Sequence, residues 1–479
     1  MSPASIDTRL VLGHLPGRWG LNACVAIGAA LRSGGGHPLA RSSAIDLFSG
    51  VQVMFHLSLR PASRAALAGA SLLTLALSLG AFPHGAAAWP VGQDDEVALD
   101  DFTATSKDGA VMTIKHADFK GTNLSKEEIE KLLTPDTSSE DKAALMQKLK
   151  VGEMSIPLID IAPKEGGAIH IHDVFGKDID AGKVGKFTIS GVDGSGSDKD
   201  GAVSVKAGAL IMENADLADA LGATKDPKQI SPLTHLGHLS WEGIDVTGPD
   251  KDAGPGKTIH VALGSLEIHN NYDGDVLKDG ATTLKGLLIE PSKGTEFANS
   301  LAILGYTRVE LNAHIAAHYD KGAKKLSLDD FTLDGANAGA IKLKADFTDI
   351  DSSLFGADAA ARLGALAGGG IAAIEVRFVN AGLFEKSVAY FAAQQKTTPE
   401  DVKKQWAAAA GQMLPAVLGG DPSALKVAAE TQKFIAAPTN LTIGVHPKSG
   451  VFKFSDAMGG AGDPTALIGA LDIVAAANK

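Results

Sequence analysis

The sequence predicts an α+β chain rich in β-structure: an elongated, mainly antiparallel sheet followed by a smaller C-terminal unit in which helices pack on strands. Three observations carry this expectation. Beyond residue 89 the apolar residues recur mostly at every second position, the period of a strand with one buried face. Glycine is abundant, 55 residues in 479 against a usual share of about 7%, and much of it sits beside Asp or Asn, as in tight turns. Helix-start signals are confined to two stretches, one near residues 125–150 and one after residue 382.

The strand pattern begins at Val111-Met112-Thr113-Ile114-Lys115. It continues through Ala168 to His172, Lys186 to Ser190, Val203 to Lys206 and Leu239 to Glu242. Thr258 to Val261, Leu266 to His269, Arg308 to Asn312, Leu326 to Leu328, Phe331 to Leu333 and Ile341 to Lys344 extend it. In most of these one face is apolar and the other polar, which suits an antiparallel sheet with one solvated side. A loose phrase recurs, as Ser190-Gly191-Val192-Asp193, Glu242-Gly243-Ile244-Asp245 and Asp330-Phe331-Thr332-Leu333-Asp334. Its spacing of 52 and then 89 residues is too uneven for a propeller or solenoid, so it reads as successive hairpins of one sheet.

Helices interrupt the strands twice. Ser125-Lys126-Glu127-Glu128 is a capping box opening a short helix through Leu133. Ser139-Glu140-Asp141 opens another through about Lys150. Later, Phe384, Val388 and Phe391 follow one another at helical spacing between Gly382 and Gln395. Thr398-Pro399-Glu400-Asp401 supplies a cap, a proline in the first turn and acids facing the helix dipole. Val402, Trp406, Ala409 and Met413 make the apolar stripe that follows, which Pro415 bends or ends. Asp421-Pro422 starts a further helix reaching about Ala437. Strands around Val376, Ile443 and Ile473 frame this block, and the Ala- and Gly-rich stretch 359–370 places a boundary near 351–370. The expected units are a β-rich domain over 89–355 and a C-terminal α+β unit over 356–479.

Residues 1–88 have a different composition, with six Arg, no Lys and two acids, Asp7 and Asp46. Removing them from the chain's 44 basic and 56 acidic residues leaves 38 against 54, a net charge of −16. Arg60 and Arg64 precede Ala65 to Leu79, a 15-residue uncharged run, and Ala86-Ala87-Ala88 then offers the small residues a signal peptidase accepts. That run is short of the roughly 20 residues a membrane span needs. The pattern reads as a signal peptide over 54–88 cleaved near Ala88, with residues 1–53 an upstream extension and the mature chain periplasmic. Membrane contact is then expected only through the signal peptide.

Composition also excludes classes of function. An acidic chain lacks the basic surface that nucleic acid needs, and 5% aromatics leave little for stacking platforms. The single cysteine, Cys24, permits neither an intrachain disulfide nor a multi-cysteine zinc site. His170 and His172 share one face of a strand about 6.6 Å apart. They would bind a metal only with help from Asp173, His235 or His238; a solvent-facing polar side is the simpler account. His314 and His318 have Ile315 where a zinc protease needs Glu. Asp198-Lys199-Asp200-Gly201 and Asp273-Gly274-Asp275 lack the anchoring ligands of a calcium loop and read as hairpin turns. Gly368-Gly369-Gly370 reads as a flexible lead-in to a strand, and no nucleophile elbow, P-loop or dinucleotide fingerprint stands out after residue 89. Neither an enzyme nor a cofactor is expected.

The phrase Gly243-Ile244-Asp245-Val246, the Gly-Asp turns, Val376-Arg377-Phe378-Val379-Asn380, Glu385-Lys386 and Thr398-Pro399-Glu400 together resemble AsmA-like and YdgA-like exported envelope proteins of Gram-negative bacteria. The resemblance covers roughly residues 100–479 and departs from those proteins in the apparent loss of a membrane anchor. It implies a curved or elongated sheet and a part in lipid handling or envelope maintenance. The expected function is a non-enzymatic envelope protein that shelters a lipid or other apolar ligand. The alternative is an adaptor that binds an envelope protein through Phe384, Phe391 and Trp406.

Export gives the first prediction. Leu75→Arg places a charge in the apolar run, costing roughly 2.5–3.5 kcal/mol on an insertion scale, so uncleaved precursor should accumulate in the cytoplasm. N-terminal sequencing of the native protein should begin near Trp89; an abundant species starting at Met54 or Met1 would overturn the assignment.

Overall fold

In the computed structural model, residues 96–198, 201–216, 235–250, 253–356, 358–420, 422–459 and 468–479 are described. The stretches expected to be an upstream extension, a signal segment and its cleavage site lie outside them, as do Lys199, Asp200 and Asp421. Most strands pair with a neighbour in sequence, and every pairing is antiparallel, so the chain runs largely as an antiparallel meander. β1 (Glu96–Thr105), β2 (Val111–Lys120), β3 (Lys150–Ala162) and β4 (Gly167–Asp180) come first. β5 (Lys183–Ile189) and β6 (Gly191–Asp198) lie end to end along β4. β7 (Gly201–Ala207) and β8 (Leu210–Asp216) return beside them and lie end to end against β9 (His235–Pro249). β10 (Thr258–Asp273), β11 (Val276–Glu290), β12 (Val309–Asp320), β13 (Lys325–Gly335), β14 (Gly339–Thr348) and β15 (Gly370–Asn380) continue the order. β16 (Asn440–Pro447) and the short β17 (Phe452–Lys453) both pair with β15, and β18 (Leu471–Ala477) pairs with β16. The expected fold class is what the structure shows, a β-rich α+β chain with one 18-stranded antiparallel sheet.

Alternation of buried and exposed residues does not run unbroken along these strands. In β1, Leu99 and Phe102 both turn inward across two exposed residues, Asp100 and Asp101. In β2, Ile114 and Ala117 do the same across Lys115 and His116. The spacing of three recurs at Ile156/Ile159, Ile171/Val174, Ile189/Val192, Ala207/Leu210, Trp241/Ile244, Leu263/Leu266 and Leu284/Leu287. These breaks face one another, as Leu99 with Ala117, Phe102 with Ile114, Ile156 with Val174, Ile159 with Ile171, Trp241 with Leu266 and Ile244 with Leu263. A left-handed residue marks the break in several strands: Asp101 at φ +50°, Asp173 at +46°, Gly243 at +62° and Gly286 at +65°. Such a residue reverses the pleat, so the apolar phase must shift by one for the same face to stay buried. The crease runs from β1 to β11. In β12 the residues Leu311, Ala313 and Ile315 alternate regularly, and a register shift between Leu284 and Leu287 absorbs the extra residue.

A second crease crosses β3 to β9, at Val151/Met154, Gly176/Ile179, Val184/Phe187, Met212/Ala215 and Leu236/Leu239. Asp178 (φ +53°) and Asn214 (φ +52°) supply its left-handed residues. Glycines fill the strands between them for lack of room. A Cβ on Gly185 would lie 2.8 Å from the Cβ of Asp178, and one on Gly237 2.9 Å from that of Asn214.

The helices follow their signals. α1 (Lys126–Leu133) has the Ser125–Glu128 capping box, and α2 (Ser139–Lys148) is capped by Ser138 and ends two residues short of the expected Lys150, where β3 begins. α3 (Glu296–Ile303), capped by Thr295, is a helix the sequence reading passed over. The Ala- and Gly-rich stretch at the expected boundary is instead α4 (Ala359–Gly368), whose first amides donate to Asp358. α5 (Leu383–Gln395), α6 (Pro399–Val417, capped by Thr398) and α7 (Pro422–Ala436) form the C-terminal block, and α6 runs through Pro415 to Val417. A short α8 (Phe454–Gly459) follows β17. β14 and β15 pair directly across 351–370, so strands on both sides of that stretch belong to one sheet.

The crease makes a graded prediction. A β-branched side chain at φ +62° is strongly disfavoured, so Gly243→Val should destabilise by about 2 kcal/mol or more in urea unfolding. Asp101→Gly should keep or raise stability, since glycine removes a left-handed cost of about 1 kcal/mol. Equal effects from the two changes would rule out pleat reversal as the origin.

Candidate functional site

Registered strands place like residues in rows across the sheet. Met212, Leu239, Ile268, Thr282, Ile315, Phe331, Leu343, Val376 and Ile443 are successive cross-strand partners from β8 to β16. Beside them run Leu210, Trp241, Leu266, Leu284, Ala313, Leu333, Ile341, Phe378 and Leu441. Two adjacent rows, apolar except at Thr282, therefore cross one face of the sheet, and their covering changes along the way. At the N-terminal end Phe187, Met212, Ile189 and Leu210 are buried, in a cluster completed by Ile129 and Leu132 of α1 and Leu145 and Met146 of α2. At the other end Phe434 and Ile435 of α7 pack on Phe378 and Leu441. Between these covers Leu284, Ile315, Phe331, Leu333 and Leu343 are only half-buried and Ile341 is 38% exposed. One rim of this open stretch is finished by Tyr319, Leu326 and Ile350, with Phe347, Leu354 and Phe355 packed on them. The site is an apolar strip along a sheet, with no acid–base constellation on it.

The opposite face is polar and carries most of the histidines. His170 Nδ1 lies 2.6 Å from Asp160 and His172 Nε2 2.6 Å from Asp193. The two rings stand 6.3 Å apart, each turned to its own carboxylate, so they do not converge on one point. His235 meets the Gly274 carbonyl and Tyr272 at the far end of β9 from Asp245. His314 bonds Thr283 and His318 bonds Asp329, which separates that pair too. Asp273-Gly274-Asp275 forms the β10–β11 turn, Asp273 facing Val276 and Gly274 at φ +62°. Over the first crease this face has an open hollow of about 940 Å³, lined by His170, Asp193, Lys206, Asp245 and by Gly243, Gly264 and Gly286.

The aromatic residues expected to present a partner surface are half-buried and pack on one another. Phe384 and Phe391 each meet Trp406 edge-on, with ring centroids 5.7 and 5.5 Å apart. Phe384 also packs edge-on against Phe434, and the group closes over buried Val388, Ala392 and Val402. These rings join α5, α6 and α7 to the sheet. The helical spacing that singled them out is the spacing of a core stripe.

Most of the open apolar residues lay within recognised strands, Leu284 of β11 excepted, but the sequence gives no register, and register is what gathers them. A family model described as an uncharacterized protein matches residues 332–478, from within β13 to β18. No curated protein matches the chain. No helix among the described residues is long and apolar enough to cross a membrane.

His260 ties the polar face together at neutral pH. Its Nδ1 lies 3.0 Å from Glu290 and its Nε2 3.1 Å from Asp245. Hydrogen bonds donated to Glu290 first, then to Asp245, raise its pKa above 6.5, while accepting from His260 lowers that of Glu290 below 4.5. The histidine's contribution is full below pH 6.5 and fades as pH rises through its raised value; that of Glu290 is full above 4.5 and fades below it. The coupling energy from a His260→Gln/Glu290→Gln double-mutant cycle should therefore peak between pH 4.5 and 6.5. Urea unfolding across pH measures it, and a flat profile would remove the charge-assisted contact.

Proposed function

We propose that this protein is a non-enzymatic, exported envelope protein that holds an elongated apolar ligand of the acyl-chain class along the open stretch between β10 and β15. The observation that carries this reading is the pair of apolar rows, covered by helices at both ends and left half-exposed between them. An isolated apolar side chain on a surface means little, but a contiguous strip marks an interaction site. Its occupant must be long, narrow and apolar, because the rows are two side chains wide and cross several strands. Burial of each CH₂ contributes about 0.8 kcal/mol, so a chain spanning a few strands gains enough to offset its ordering. The resemblance to AsmA-like and YdgA-like proteins supports the same reading from the sequence side, and the leader pattern supports an envelope setting.

Mass spectrometry of organic extracts of the purified protein should find a co-purifying lipid, and a fluorescent fatty acid should bind saturably. Ile341→Lys and Phe331→Asp, which place charge on the open strip, should each weaken that binding at least tenfold. Thr332→Asp, on the other face, should leave it unchanged. Neither extracted lipid nor probe uptake, in protein shown to be folded, would end the proposal.

A further inference from the structure

The polar face holds one cluster that the apolar ligand does not use. His238 of β9 and His269 of β10 are direct cross-strand partners, and Glu267 stands two residues from His269 on the same face. The imidazole rings stack 4.4 Å apart and 8° from parallel, and Glu267 Oε1 lies 2.8 Å from His269 Nε2. Potential ligand atoms of the three residues all fall within 4.8 Å of one another. Behind them, His238 Nδ1 lies 3.5 Å from Glu213 Oε2 on β8, and Glu213 is held in turn by Lys186, 2.9 Å away.

The telling atom is His238 Nε2, which is buried and has no hydrogen-bond partner. A proton on Nδ1 directed at Glu213 leaves Nε2 with a free lone pair. A carboxylate behind one ring nitrogen and a vacant lone pair on the other is how proteins prepare a metal-ligating histidine. An unpartnered buried nitrogen otherwise costs its desolvation energy. We propose that His238, His269 and Glu267 bind a divalent transition-metal ion of the Zn²⁺ class, with Glu213 as the positioning residue behind His238. Two nitrogens and one carboxylate oxygen suit such an ion and leave a position for water. Zinc–nitrogen distances of about 2.0–2.1 Å require donor atoms roughly 3 Å apart. Closing on the ion therefore means turning the rings out of their parallel stack. His269, with 56% of its side chain exposed, is free to turn.

Titration of the full-length chain with ZnCl₂, followed by calorimetry, should show one saturable equivalent, and Co²⁺ should give visible ligand-field bands. His238→Gln and His269→Gln should each weaken Zn²⁺ at least tenfold, and Glu213→Gln about tenfold with the stoichiometry kept. His172→Gln should change nothing. If a histidine variant fails to fold, Glu267→Gln, at an exposed carboxylate, carries the same expectation of a tenfold loss. Absence of a saturable equivalent, binding that survives His269→Gln and Glu267→Gln, or binding lost in His172→Gln would overturn the assignment. Lipid extraction and probe binding report on the other face, so failure here and failure of the apolar-ligand reading are separate results.

Discussion

Register between creases is the constraint on which this sheet depends. A left-handed residue within a strand reverses which side the following residues face, and one strand doing so alone would expose its apolar set. The sheet stays one-sided because neighbouring strands reverse at facing positions, Leu99–Phe102 opposite Ala117–Ile114 and Trp241–Ile244 opposite Leu266–Leu263. Register slip by one residue would misplace two breaks as well as every side chain. That makes the alignment of β1 to β11 far more specific than alternation alone provides. Left-handed Asp101, Asp173, Asp178 and Asn214 are strain that the flanking buried rows offset, with a cost of about 1–2 kcal/mol each.

Connectivity explains why the apolar face is covered unevenly. Helices that can pack on it come from long connections, α1 and α2 between β2 and β3, and α5 to α7 between β15 and β16. From β9 to β14 most of the joins are tight turns, such as Gly274-Asp275, and the one helix there, α3, has no buried residue. Nothing in that part of the chain can reach over the middle rows. The half-exposed strip is thus a consequence of where the insertions fall. Leu284, Phe331 and Leu343 are as apolar as the buried Met212 and Leu210 they align with.

Much of this was legible beforehand. Period-two patterning found many of the strands but not β1, β3, β8 or β11, and caps at Ser125 and Thr398 located their helices within a residue. The phrase Gly-Val-Asp at 191–193 and Gly-Ile-Asp at 243–245 is recurrent, and its glycine lies on the first crease. Asp193 and Asp245 face the two ends of one row through Lys206. The spacing of three between apolar residues was in plain view and passed unread, because a single phase break looks like noise until its neighbours supply the same one. The aromatic stripe of α5 and α6 shows the opposite limit, since helical periodicity reports burial and carries no sign of what is buried against. His238, His269 and Glu267 come together only through the β9–β10 register, which no local pattern encodes.

Because the strand period is two, each segment belongs to both faces at once. Ile268 points to the apolar rows while Glu267 and His269 on either side of it face the polar side, and Leu239 next to His238 is the cross-strand partner of Ile268. An ion held between His238 and His269 would clamp β9 to β10 at the point where the buried part of the rows gives way to the open part. The sheet has need of such local ties. Among the described residues β1 pairs only with β2 and β18 only with β16, so no barrel closure fixes its curvature. Its free edges are blunted separately, β1 by Asp100 and Asp101 and β18 by α7, whose Glu430 accepts from the Ala477 amide at 2.9 Å. Between those edges, the spacing of the apolar rows is set by cross-strand contacts alone. A bound ion on the polar face would therefore tie the sheet together at the edge of the strip opposite, through β10, the strand they share.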